Sequence, residues 1–87
     1  MSDALIGYQK DHETRLRQEQ TVADLGETVR LSEARYEGGT STYLEVLDAQ
    51  RSLYSAELTL AEARGDEYRS LVQLYKALGG GWQQYQS

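Results

Sequence analysis

From Val46 onward, small or apolar residues return at alternating intervals of three and four: Val46, Ala49, Leu53, Ala56, Leu60 and Ala63, then Leu74 and Ala77. Glu67 and Ser70 hold the two intervening places of the same heptad. No proline interrupts the run, and alternating large and small side chains let a second helix approach closely. This pattern constrains the chain more than any other, because it demands a long helix with a partner lying along it.

The partner is the segment that comes before. A helix is expected from about Asp3 to Tyr36 or Glu37, with Arg35 in its last turn, where a cation suits the helix dipole. Gly38 or Gly39 can take the left-handed conformation that closes it. The second helix starts at once, since Thr42-Tyr43-Leu44-Glu45 fits a capping box: the Thr hydroxyl accepts from the backbone N–H three residues on, and the Glu side chain reaches back to the cap. Gly79-Gly80-Gly81 is expected to end this helix near Leu78 and leave a tail from Trp82 to Ser87. The reading is therefore one unit, 1–78, with helices at about 3–37 and 42–78 and a turn at 38–41, followed by a Gly-rich end and tail, 79–87. Helices of about 36 residues measure about 54 Å at 1.5 Å per residue. A connection this short forces them antiparallel, so the fold class is all-α, a long two-helix coiled-coil hairpin.

One seam does not account for the second helix. Another stripe, Tyr43, Leu47, Gln50, Tyr54, Ala61, Tyr68, Leu71, Tyr75 and Leu78, is displaced around it from the first. A helix with two apolar faces must touch more than one neighbour. The first helix is poorer. Val22, Leu25, Val29, Ser32 and Tyr36 make a seam near the turn, and Ala4, Leu5, Ile6 and Tyr8 an apolar patch at the far end. From Gln9 to Thr21 only Leu16 is large and apolar. That polar waist is either a solvated face or a surface covered by structure outside the hairpin.

Composition narrows the function. The chain has 87 residues, no Cys and no Phe, so it has no disulfide to stabilise a small core, and self-association is expected to complete it. A net charge of -5, with nine basic residues interspersed among fourteen acids, argues against nucleic acid. No apolar run reaches the roughly 20 residues needed to span a bilayer. His12-Glu13 has no second ligand at helical spacing, so His12 is read as solvated and no metal site is assigned. One His, no Cys and scattered serines do not assemble a nucleophile, a base and an orienting group, so neither an enzyme nor a cofactor is implied. Trp82 either packs on Ile6 or Tyr8 or lies in a frayed tail.

The run "RYEGGTSTYLEVLDAQRSLYSAELTLAEAR", from Arg35 to Arg64, together with the terminal "LYKALGGGWQQ", resembles the TolC-like outer membrane efflux channels, closest to the subgroup serving multidrug and copper or silver pumps. The shared features are Arg35-Tyr36, the glycine before a small polar cluster, Leu-Asp-Ala-Gln at 47–50, Arg51-Ser52-Leu53 and the closing Ala-Leu-Gly-Gly-Gly-Trp. The resemblance implies a fragment: the second periplasmic hairpin of a longer protein, without its membrane strands, its first hairpin or its amino-terminal leader. It further implies a parent that assembles as a trimer, whose helices form a periplasmic α-barrel beneath an outer membrane β-barrel. Membrane contact would come only through segments absent here. The implied partners are copies of itself, a periplasmic adaptor protein and, through it, an inner-membrane pump.

By that resemblance Gly38, Gly39, Thr40, Ser41 and Thr42 form a tip that docks the adaptor, for which turn and capping chemistry is the plainer reading. Asp48 corresponds to the aspartate of the periplasmic constriction, Leu44 to a neighbouring apolar constriction position and Glu45 to a second acidic one. Three copies would make a ring of carboxylates that selects cations. The plainer reading there is a solvated acidic face, on which the helix amino terminus offsets Glu45 and Arg51 offsets Asp48. Tyr36 matches a tyrosine that holds neighbouring hairpins together near the closed tip, or else is a seam residue. Ser41 departs from the prototype's arginine, so a salt-bridged lock through it does not carry over. The alternative function is a self-standing coiled-coil hairpin that serves only as an interaction module, such as the arm of an adaptor.

Overall fold

A computed structural model describes the backbone of residues 2–83 and the side chains of residues 3–79. Two helices, α1 (Ser2–Glu37) and α2 (Tyr43–Gln83), lie side by side in a rod with extents of 65 × 25 × 13 Å. The hairpin inferred from the heptads is thus the observed architecture.

The turn settles which glycine closes α1. Thr40 N–H donates to the Arg35 carbonyl at 2.9 Å and Gly39 N–H to the Tyr36 carbonyl at 3.0 Å, the pair of bonds that defines a Schellman cap. Gly39 sits at its left-handed position with φ 81°, whereas Gly38 has no positive φ. At the start of α2 only half of the expected capping box forms. Glu45 N–H approaches the Thr42 hydroxyl at 3.4 Å and the Thr42 carbonyl at 3.1 Å. The Glu45 carboxylate accepts from the Ser41 hydroxyl at 3.0 Å instead of from the cap's N–H.

The far end differs from expectation. The triple glycine does not stop α2: the helix continues to Gln83, and Gly79 alone departs from helical geometry, with φ -119° and ψ 22°, as a kink. Glycine in a helix costs only about 1 kcal/mol relative to Ala, so a long helix bends at Gly79 without ending. The side chain of Trp82 and the segment 84–87 lie outside the described residues.

The seam follows the heptad. On α2, Val46, Ala56, Leu60 and Ala63 are buried, and Ala49, Leu53, Glu67, Ser70 and Leu74 half-buried; Ala77 is exposed. On α1 the covered positions include Ala4, Tyr8, Asp11, Arg15, Gln18, Val22, Leu25, Val29 and Ser32, one unbroken heptad that passes straight through the polar waist, with Gly7, His12, Glu19 and Gly26 beside it. The reading of the waist as a solvated face holds for Gln9, Lys10, Glu13, Thr14, Arg17, Gln20 and Thr21, which are exposed, and is corrected for one edge. One polar edge, including His12, turns inward onto α2, while Leu16, its one large apolar residue, faces outward.

The second stripe of α2 remains uncovered. Leu47, Tyr54, Ala61, Tyr68 and Tyr75 each follow a seam position by one residue, which places them about 100° around the helix, and all are exposed. Gln50 and Leu71, nearer the seam, are half-buried. Tyr54 and Tyr68 retain 69% and 67% of their accessible surface, so the hairpin by itself leaves a continuous apolar strip in water.

Two predictions follow from this geometry. Gly39→Ala should destabilise the hairpin by about 1–2 kcal/mol in urea melts, because a side chain in the left-handed region carries that conformational cost although open space surrounds the position. Gly38→Ala, whose new Cβ would meet the Ala34 carbonyl at an ordinary 3.5 Å, should change stability by less than about 0.5 kcal/mol. The uncovered strip should also make the chain self-associate with rising concentration in sedimentation experiments. A fully helical monomer across the whole series would contradict the need for neighbours.

Candidate functional site at the hairpin tip

Short-range bonds build the tip. The Thr40 hydroxyl donates to the Arg35 carbonyl at 3.2 Å, the Ser41 hydroxyl reaches Glu45 and, at 3.3 Å, the Thr42 carbonyl, and the Thr42 hydroxyl takes the Glu45 N–H. Each of the three hydroxyls thus has a local partner, as turn and capping chemistry requires. Together with Gly38 and Gly39 they make a narrow apex of low bulk.

Just inside the apex, Leu44, Glu45 and Asp48 share a face, since residues three and four apart are neighbours on a helix. That face points away from α1: all three are exposed, Leu44 at 65%. The two acids are not equivalent. Glu45 is tied to Ser41 and sits in the first turn of α2, where the helix dipole favours a negative charge. Asp48 has no hydrogen-bond or ion-pair partner among the described residues, and the expected pairing with Arg51 does not form. Exposed pairs at the same spacing, Glu27–Arg30 and Asp66–Arg69, do form elsewhere in the hairpin, so spacing alone does not decide the matter. The arrangement therefore presents one free carboxylate beside one exposed leucine.

Tyr36 lies on the other side of the apex. Its ring packs against Tyr43 with centroids 5.3 Å apart and planes tilted by 56°, so Tyr36 braces the first turn of α2 across the loop. Tyr43 was readable only as a stripe residue. The pairing across a short turn is a tertiary fact that periodicity does not carry.

A second polar constellation, which the sequence reading missed, lies far from the tip. Glu67 accepts from Arg15 Nε at 2.5 Å and pairs with His12 Nδ1 at 2.6 Å, so His12, expected to be solvated, is tied across the hairpin while 41% of its side-chain surface stays exposed. Arg15 also donates to Glu19 at 2.8 Å, Ser70 donates to Asp11, and Gln18 donates to the Ala56 carbonyl at 3.1 Å. The signal was present in the seam, because Glu67 and Ser70 interrupt the apolar heptad of α2 opposite the polar waist of α1. No group of three or more His, Asp or Glu side chains among the described residues could hold a metal ion.

Hydrogen bonds from His12 and then Arg15 hold the Glu67 carboxyl below the usual carboxylate range. Arg15, more than Arg64, does the same for Glu19. A carboxyl lowered on folding stabilises the hairpin above its unfolded pKa and loses that contribution as pH falls through its folded one. Thermal stability should therefore drop on acidification below about pH 4.3, and should drop less in Glu67→Gln, which lacks the titrating group. Parallel melts from pH 6 to pH 3 check this, and equal losses in the two proteins would remove Glu67 from the account.

Among the described residues, no helix is long and apolar enough to cross a membrane. The family model described as "Outer membrane efflux protein" matches residues 1–80. The chain is 54% identical over 52 residues to the solvent efflux pump outer membrane protein SrpC of Pseudomonas putida, covering 60% of this chain and 11% of that protein. It is 38% identical over 84 residues to the cation efflux system protein CusC of Escherichia coli O157:H7, covering 97% of this chain and 18% of that protein. With the probable efflux pump outer membrane protein TtgC of Pseudomonas putida, identity is 42% over 82 residues, 94% of this chain and 17% of that protein. The chain thus spans between about a tenth and a fifth of the length of these relatives. No solved structure matches at a significant level.

Proposed function

Because the chain belongs to the outer membrane efflux protein family, a family of channel components and not of enzymes, we propose that it forms part of the periplasmic tunnel wall of a trimeric efflux channel. The observation that carries this reading is the uncovered stripe of α2. A helix in a cylindrical wall touches a neighbour on either side, and α2 has one apolar face on α1 and a second, Leu47, Tyr54, Ala61, Tyr68 and Tyr75, with no occupant in the hairpin. The rod shape supports the same reading, since a rod this long and thin has length to contribute to a wall and no interior of its own.

In this reading the apex, Gly38, Gly39, Thr40, Ser41 and Thr42, docks a periplasmic adaptor that connects the channel to an inner-membrane pump. Low bulk at the apex supports close approach by another helical hairpin. Leu44, Glu45 and Asp48 face the aperture, and Tyr36, braced by Tyr43, secures the tip against its neighbours. Symmetry copies of a free Asp48 carboxylate at a narrow point would attract cations, while the Leu44 side chains would make the constriction poorly hydrated. Glu45, already engaged by Ser41 and the helix terminus, contributes less. The named cargoes of the relatives include solvents and cations, so we assign selection of the exported compound to the pump and not to this segment.

Asp48→Ala in the full-length channel tests the aperture. Single-channel conductance in planar bilayers should rise. Block by a polyvalent cation should weaken about five- to tenfold, as expected when a charge contact worth on the order of 1 kcal/mol is lost. Unchanged conductance and block would remove Asp48 from the aperture.

A further inference from the structure

We infer that the polar cluster of His12, Arg15 and Glu67, with Asp11 and Ser70, selects which face of α2 receives α1 and so keeps the other apolar stripe free. The problem it solves is set by α2 itself. Two heptad stripes run along this helix about 100° apart, one through Val46, Leu53, Leu60, Glu67 and Leu74, the other through Leu47, Tyr54, Ala61, Tyr68 and Tyr75. Each is apolar enough to pack against the seam Val22, Leu25 and Val29 of α1. The tight turn fixes how far α1 is shifted along α2, because the Schellman cap and the Thr42 cap leave little slack. Its hold on where around the α2 axis α1 comes to rest weakens along the rod, and the cluster lies about two dozen residues from the turn on both helices. Apolar burial is non-directional and discriminates poorly between two such faces.

The waist of α1 does discriminate. Arg15 and Glu67 are half-buried and joined at 2.5 Å, His12 adds a bond to the same carboxylate at 2.6 Å, and Ser70 meets Asp11 one turn further on. All these partners belong to the occupied face. At the same level the rival stripe offers Ala61, Arg64, Tyr68, Leu71 and Tyr75, with no carboxylate among them and with a cation, Arg64, where Arg15 would need an anion. Seating α1 there would leave the half-buried Arg15 guanidinium and Asp11 carboxylate without these partners, which is disfavoured. Polar groups in an otherwise apolar helical seam are best attested in this role of choosing among near-equivalent packings.

The absence of native cysteine allows a direct test with single thiols. Ala63→Cys places a thiol in the occupied seam and Ala61→Cys one on the rival stripe, at a buried and an exposed alanine respectively. At a dilution where sedimentation shows monomer, the position-61 thiol should label at least about tenfold faster than the position-63 thiol. In the Arg15→Leu/Glu67→Leu background, with helicity confirmed by circular dichroism, that ratio should fall to about twofold or less, as packing spreads over both faces. A ratio that stays at the parent value overturns the inference. Should the leucine pair fail to fold, charge exchange decides: Arg15→Glu alone should lower the ratio at least about threefold and the added Glu67→Arg should restore it. No loss in the single variant, or no recovery in the double, would be equally fatal.

Discussion

A two-helix rod can bury one strip of each helix and nothing more. Everything distinctive in this hairpin follows from that geometric limit. Val46 is 2% exposed, yet no described side chain is fully enclosed, because each seam residue has a partner on one side and solvent nearby on the other. A chain that needed to be self-sufficient would confine its apolar residues to that strip. Here Leu44, Leu47, Tyr54, Leu58, Tyr68 and Tyr75 lie outside it. Their number and heptad spacing make an apolar strip of the kind that marks an interaction surface.

The two halves of the rod are held by different physics. Near the tip, Val29 and Ser32 of α1 and Val46 of α2 lie in an uncharged seam, with Ser32 and Val46 buried. Farther away, charged hydrogen bonds among Arg15, His12, Glu67 and Glu19 replace that packing. Such bonds add little net stability, because desolvation offsets most of their attraction. What they add is direction. Apolar seams tolerate rotation and sliding, whereas a carboxylate shared between a guanidinium and an imidazole fits one arrangement. The weaker half of the hairpin is therefore also its more exactly specified half.

Legibility in the sequence divides along the same line. Both helices, the turn and the α2 seam were readable because they rest on local signals: heptad spacing, a glycine pair, a Thr cap. The choice between Gly38 and Gly39 was not, since either can adopt a positive φ and only the bonds to Arg35 and Tyr36 decide. The triple glycine read as a stop because its propensity is poor, but a kink at Gly79 satisfies that propensity while the helix runs on. The inward edge of the waist was missed for a different reason. His12 and Glu67 are separated by 55 positions, and no periodicity within α1 reveals that a polar stretch faces a polar interruption in another helix. Leu44, Glu45 and Asp48 could be placed on one face from spacing alone. That Glu45 is engaged by Ser41 while Asp48 is free depends on side-chain geometry.

That contrast explains why the tip and the body of the hairpin make opposite demands on their environment. Every hydroxyl at the apex has a partner within a few residues, and the left-handed glycine and paired tyrosines complete a turn that needs no outside support. The body leaves its second face open. The proposed channel wall would require this division, because its hairpins present a defined surface at the end while merging into an assembly along their length. A tip that depended on neighbours for its shape would change whenever those neighbours moved apart. A body that satisfied itself would have no reason to join them. In the proposed reading, local satisfaction at the apex and an open face along the rod are two consequences of one role, and the free Asp48 lies between them.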